Sequence, residues 1–93
     1  MRVFEEIIFT IIKEQELIIG PIAWQEAKKV SGLKIDKNRK TVKITGDNNQ
    51  KVVDNLVKQY GQLFGQASEE VCKEAVKSII GQVQEKDIPA SLK

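Results

Sequence analysis

The sequence predicts a mainly α fold: amphipathic helices in two helix–glycine–helix halves, with a short β-hairpin inserted between them. Three observations lead there. Apolar residues recur at three- and four-residue steps over residues 3–19 and again from about residue 48 onward. Strict apolar–polar alternation is confined to residues 33–45. Gly20 and Gly65 interrupt the two helical stretches at matching places.

The first helix, from about Val3 to Ile19, carries Phe4, Ile8, Ile11, Gln15, Ile18 and Ile22 on one stripe, widened by Ile7, Ile12 and Ile19. Isoleucine suits strands better than helices, but the length and the spacing favour helix. Gly20-Pro21 follows. Proline fits the first turn of a helix, where its missing N–H is not needed. A second helix is therefore expected from Pro21 to about Val30. Ala23, Ala27 and Val30 face inward on it, with Trp24 beside them. Ser31-Gly32 reads as its stop.

Leu33, Ile35, Val42 and Ile44 alternate with Lys34, Asp36, Thr41, Lys43 and Thr45, the pattern of two short strands. Asp36-Lys37-Asn38-Arg39 reads as their turn. Asp47 is expected to cap the next helix, with Gln50 completing a capping box. Val52, Val53, Leu56, Val57, Tyr60, Leu63 and Phe64 then form the cleanest helical stripe, and Ala67, Val71, Ala75 and Ile79 stay in phase with it. Two continuations are open: one helix from about Asn48 to Val83, or a bend near Gly61–Gly65. Unbroken, at ~1.5 Å per residue, the helix is over ~50 Å long. That is twice the ~25 Å diameter expected of a domain this size, so it would need a second chain to cover it. Residues 1–87 are expected to form one domain, and 88–93 a flexible tail containing Pro89.

A shift of 45 residues pairs Ile8 with Val53, Ile11 with Leu56, Ile12 with Val57, Ile18 with Leu63, Ile19 with Phe64, Gly20 with Gly65 and Ala27 with Cys72. Duplication explains the match, and so does the ease with which amphipathic helices align at some offset. The plan common to both halves is helix, glycine joint, helix. The phrase Ile19-Gly20-Pro21-Ile22-Ala23, after an acidic helix, resembles a small C-terminal helical module found on some bacterial protein kinases, cyclases and other signalling proteins. The resemblance covers Leu17 to Val30, and the inserted hairpin departs from it. It implies an accessory or interaction role and transfers no catalytic or ligand-binding residue.

The composition is that of a globular domain: 41% hydrophobic and 30% charged over 93 residues. A core this small leaves self-association as a route to further burial. Histidine is absent from the sequence, which removes the commonest general base and metal ligand. Cys72, the single cysteine, lies in the apolar stripe and is expected to be an inert buried thiol in a reducing compartment. Glu69, Glu70 and Glu74 read as helix-start acids balanced by Lys73 and Lys77 rather than as acid–base machinery. No phosphate loop, metal-ligand cluster or nucleophile triad is recognisable, so no catalytic, cofactor-binding or metal-ligating residue is expected. Glu5 and Glu6 occupy the place of a signal-peptide core, and Ile7–Ile12 is too short to span a bilayer. A cytoplasmic, non-membrane, non-enzymatic protein is the expectation.

Two functional leads remain. Trp24, Tyr60, Gly61, Phe64 and Gly65 form a candidate protein interface, through aromatic anchors and a pair of glycines four apart on one helix face. Lys34, Lys37, Arg39, Lys40 and Lys43 form a candidate nucleic-acid site on the hairpin, flanked by Lys28, Lys29 and Lys51. The same lysines also serve simply to keep an exposed hairpin from aggregating. The hairpin has no aromatic residue for base stacking. The reading favoured by the sequence is a self-associating interaction or regulatory module, a homodimer with a further protein partner. The alternative is a nucleic-acid-binding protein.

Overall fold

The computed structural model describes residues 3–92. Helix α1 spans Val3–Ile19 and α2 spans Ile22–Ala27; strands β1 (Leu33–Asp36) and β2 (Thr41–Ile44) form the hairpin. Helices α3 (Asn49–Phe64), α4 (Gln66–Ala75) and α5 (Lys77–Ile80) follow, and two single 3-10 turns, Glu85–Asp87 and Ala90–Leu92, close the chain. The mainly α class with an inserted hairpin is therefore observed.

The apolar stripes explain the packing. Ile7, Ile8, Ile11 and Ile12 of α1 and Val52, Val53, Leu56 and Val57 of α3 are buried in one core with Ala23, Trp24, Ala27, Cys72 and Val76. The hairpin pairs Leu33 with Ile44 and Ile35 with Val42. These four side chains pack on or join the core, as their alternation requires. Its loop is Lys37 to Lys40, one residue beyond the predicted turn, because Asp36 still pairs with Thr41. The Asp36 carboxylate accepts the backbone N–H groups of Asn38 and Arg39, each at 3.1 Å, and so braces the turn.

The structure corrects several expectations. Of the two continuations left open for α3, the bend near Gly61–Gly65 is observed and the run to Val83 is not. Helix α3 ends at Gly65, whose φ of 89° and ψ of −178° belong to a region open essentially to glycine alone. Gly20, at φ 78°, makes the same joint between α1 and α2. The molecule measures 32 × 27 × 20 Å, so the over-long helix that would demand a second chain is absent. The cap of α3 is Asn48 rather than Asp47: its side chain accepts the N–H of Lys51 at 3.1 Å. Helix α2 stops at Ala27, and single turns carry the chain to Gly32. The expected flexible tail is docked over residues 88–92. Pro89 and Leu92 are buried, and the Asp54 carboxylate accepts both the N–H and the hydroxyl of Ser91. Lys93 lies outside the described residues.

The 45-residue shift has a structural counterpart. It carries α1 onto α3, α2 onto α4 and Gly20 onto Gly65. Buried Ile7, Ile8, Ile11, Ile12 and Gln15 map onto buried Val52, Val53, Leu56, Val57 and Tyr60. The polar contacts are reciprocal as well. Gln15 donates to the Ser68 carbonyl at 2.9 Å, and Tyr60 donates to the Ala23 carbonyl at 2.7 Å. Residues 15 and 23 become 60 and 68 under the shift, so each half reaches the second helix of the other. Contacts exchanged in this way are what an approximate twofold between the halves requires.

Candidate functional site

Most buried polar groups serve the fold. Gln15, at the inner face of α1, donates to the Ser68 carbonyl and to Cys72 Sγ at 3.4 Å, and accepts from Ser68 Oγ at 3.0 Å. The three residues tie α1 to α4. Burial pushes the Cys72 thiol up to about 11, so it stays protonated and poorly nucleophilic at neutral pH. Glu26 accepts from Gln59 Nε2 at 2.9 Å and from Lys29 Nζ at 3.0 Å, and these bonds hold its carboxyl below the usual range. Among the described residues, no group of three or more His, Cys, Asp or Glu side chains is placed to hold a metal ion.

The candidate interface divides in two. Trp24 and Tyr60 are 1% and 0% exposed, inside the chain's own core. The Trp24 indole meets Phe9 edge-on at 6.1 Å between ring centroids. The Tyr60 hydroxyl does not reach out to solvent; it is spent on Ala23. Neither residue is accessible to a partner. Gly61 is not open to a helix of another chain either, because the Glu69 carboxylate of the chain's own α4 lies over it. Phe64 and Gly65 remain at the surface.

Phe64 is joined there by Ile18, Ile22 and Leu63, which the helical stripes assign to the core, and by Leu17, which lies off the stripe. Leu17, Ile18, Ile22, Leu63 and Phe64 are 78%, 62%, 40%, 51% and 38% exposed. All five flank the two glycine joints. Ile18, Ile19 and Phe64 line one hollow with Ala67 and Val71. Ile18 continues into a second groove with Val71 and Ala75, edged by Glu14, Glu70 and Glu74. The 45-residue shift again applies, since Ile18 maps onto Leu63 and Ile19 onto Phe64. The signal in the sequence is the run Leu17-Ile18-Ile19. Three consecutive helical residues span about 200° of the helix, wider than one packed neighbour covers.

The hairpin is held against the helical body. It lies along α1: the Glu5 carboxylate accepts the N–H of Ile44 at 3.1 Å, and Glu16 pairs with Lys40 at 3.3 Å. Desolvation is the largest single influence on the Glu16 carboxyl and pushes it up, but Lys40 and Lys13 together outweigh it and hold the group below its usual range. Lys40 adopts a positive φ of 52° to close the turn. Arg39 stands 3.9 Å from Asp36, a loose and exposed pair. Lys34 and Lys43 are directly opposed across the strands, both exposed, on the face turned away from the core. Among the described residues Lys34, Lys37 and Lys43 have no carboxylate within ion-pair distance. The five predicted basic residues therefore sit on one hairpin, with Lys40 engaged by α1.

No helix of the described residues is long and apolar enough to cross a membrane. Comparison of the chain with protein-family models, with curated proteins and with solved structures finds no match.

Proposed function

We propose that the chain is a non-catalytic protein–protein interaction or regulatory module that self-associates through Leu17, Ile18, Ile22, Leu63 and Phe64. The observation that carries this reading is the bareness of equivalent positions in the two halves. Ile18 and Leu63 are each more than half exposed although each lies at the same place before its glycine joint. A surface built from two like pieces suits a second copy, because a twofold contact sets each patch against its own equivalent. The groove edge supports it too. Glu70 is 3.8 Å from Lys73 and Glu74 is 3.4 Å from Lys77, so a copy meets a rim of mixed sign rather than bare acid.

Fully burying one such side chain contributes about 1.5–3 kcal/mol. Association itself costs about 4–15 kcal/mol. Five partly exposed residues on each copy give a gain of the same order as that cost. The dimer is therefore expected to be concentration-dependent rather than obligate. The buried, reduced Cys72 fits a cytoplasmic setting.

Sedimentation equilibrium over a concentration series tests the reading. The mass is expected to rise from 10.5 kDa toward twice that value. Ile18→Glu and Leu63→Glu should each hold the protein at the monomer mass with an unchanged far-ultraviolet dichroism spectrum. A monomer mass at every concentration in the unsubstituted protein overturns it.

A further inference from the structure

We infer that the outer face of the hairpin docks on the phosphates of double-stranded DNA, with the two-stranded ribbon lying over the major groove and no reading of base sequence. The proposal goes beyond self-association and uses a different surface. Its first ground is the opposed pair Lys34 and Lys43. Like charges directly across a ladder repel, and among the described residues no carboxylate lies within ion-pair distance of either. An anion placed over the pair removes that repulsion. The second ground is the tip, where Lys37 is free of carboxylates and Arg39 holds Asp36 only loosely. The carboxylate of Asp36, the one acid of the hairpin strands, is turned to the backbone N–H groups of the loop.

The shape selects among polyanions. Leu33, Ile35, Val42 and Ile44 all face the protein, so the hairpin offers no apolar side chain for insertion into a lipid surface. It carries no aromatic ring on which an unpaired base stacks. A two-stranded ribbon does fit the major groove of B-form DNA, whereas the deep, narrow major groove of A-form RNA excludes it. Glu5 and Glu16 fix the ribbon against α1, so binding orders its lysine side chains but not its backbone.

Fluorescence anisotropy with a labelled mixed-sequence DNA duplex tests the proposal. Four cations, Lys34, Lys37, Arg39 and Lys43, predict a log–log salt slope of about −3.5, or roughly a hundredfold loss of affinity between about 50 and about 200 mM salt. Lys34→Gln with Lys43→Gln should lower the slope by about 2 and, by removing the repulsion, leave thermal stability equal or higher. That stability readout separates lost binding from lost folding. Lys58→Gln on α3 should leave binding as it is, and so should the monomeric Ile18→Glu variant, so the failure of self-association does not remove this result. The proposal is overturned by absence of binding at low salt. Equal binding of the Lys34/Lys43 variant, or tighter binding to A-form RNA duplexes or phosphatidylserine vesicles than to DNA, overturns it equally.

Discussion

Two residues of the bundle core, Gln15 and Tyr60, occupy equivalent places and do equivalent work with different chemistry. Gln15 brings an amide that both donates and accepts, so it engages Ser68 twice and Cys72 once. Tyr60 brings a ring and a single hydroxyl. The costs of removing them should differ accordingly. Gln15→Ala strands the Ser68 hydroxyl in a dry site and opens a void, and a loss of about 2–3 kcal/mol is expected. Tyr60→Phe removes one hydrogen bond and keeps the ring, for about 1 kcal/mol. In a domain this small 1 kcal/mol shifts the melting temperature by roughly 4–8 °C, so calorimetry resolves the two. Equal losses would mean that the void and the further hydrogen bonds of Gln15 add nothing beyond the cost of a single bond. The sequence marks both positions as apolar-stripe members. It does not mark Tyr60 as spent inside the core, because a tyrosine on a stripe points its hydroxyl inward or outward according to a partner that spacing does not reveal.

The elements were legible where their pattern is local and obscure where a single joint decides. The strand alternation from Leu33 to Ile44 and the stripe from Val52 to Phe64 appear in place. The length of the last helix does not follow from periodicity, since Ala67, Val71 and Ala75 keep the phase of α3 across Gly65 although the backbone turns there. In the structure the core-facing stripe is displaced by one residue at that turn: Ser68, Cys72 and Val76 are buried, whereas Ala67 is exposed and Val71 and Ala75 are only partly covered. The candidate interface failed in part for a related reason. Aromatic side chains anchor partners and cores alike, and in a chain only 5% aromatic the core takes Trp24 and Tyr60 first. The joints themselves are testable. A Cβ at Gly20 or Gly65 meets no atom within 4 Å, so the penalty of Gly→Ala is purely conformational. Gly65→Ala is expected to cost about 1–3 kcal/mol by forcing alanine into backbone angles reserved for glycine. Urea unfolding followed by dichroism measures it. A neutral substitution would show that α3 and α4 relax into another joint without loss.

At the scale of the whole molecule, the two halves interlock through groups that resist ionisation, and this sets the response to pH. Burial, with lesser repulsion from Cys72 and Glu26, raises the Tyr60 hydroxyl above its ordinary value of 10.0. Burial likewise raises the Cys72 thiol from 9.0 to about 11. Both groups are neutral when protonated, and unfolding lets each lose its proton at a lower pH. The native state therefore holds more protons than the unfolded state in the alkaline range, and stability must fall as pH rises there. The contribution of Cys72 is intact below about pH 9 and is lost as pH rises through about 11. The slope it adds is at most about 1.4 kcal/mol per pH unit. Tyr60 extends the decline above pH 10.0. The expected result is a urea midpoint that drops steadily from about pH 9 upward, with a shallower drop in Cys72→Ala and one shallower still when Tyr60→Phe is added. A carboxylate-driven core would respond on the acid side instead. A midpoint flat to the alkaline limit would show that the shared Gln15–Ser68–Cys72 and Tyr60–Ala23 layer opens to water long before the chain unfolds, and that the halves separate as independent units rather than as one cooperative body.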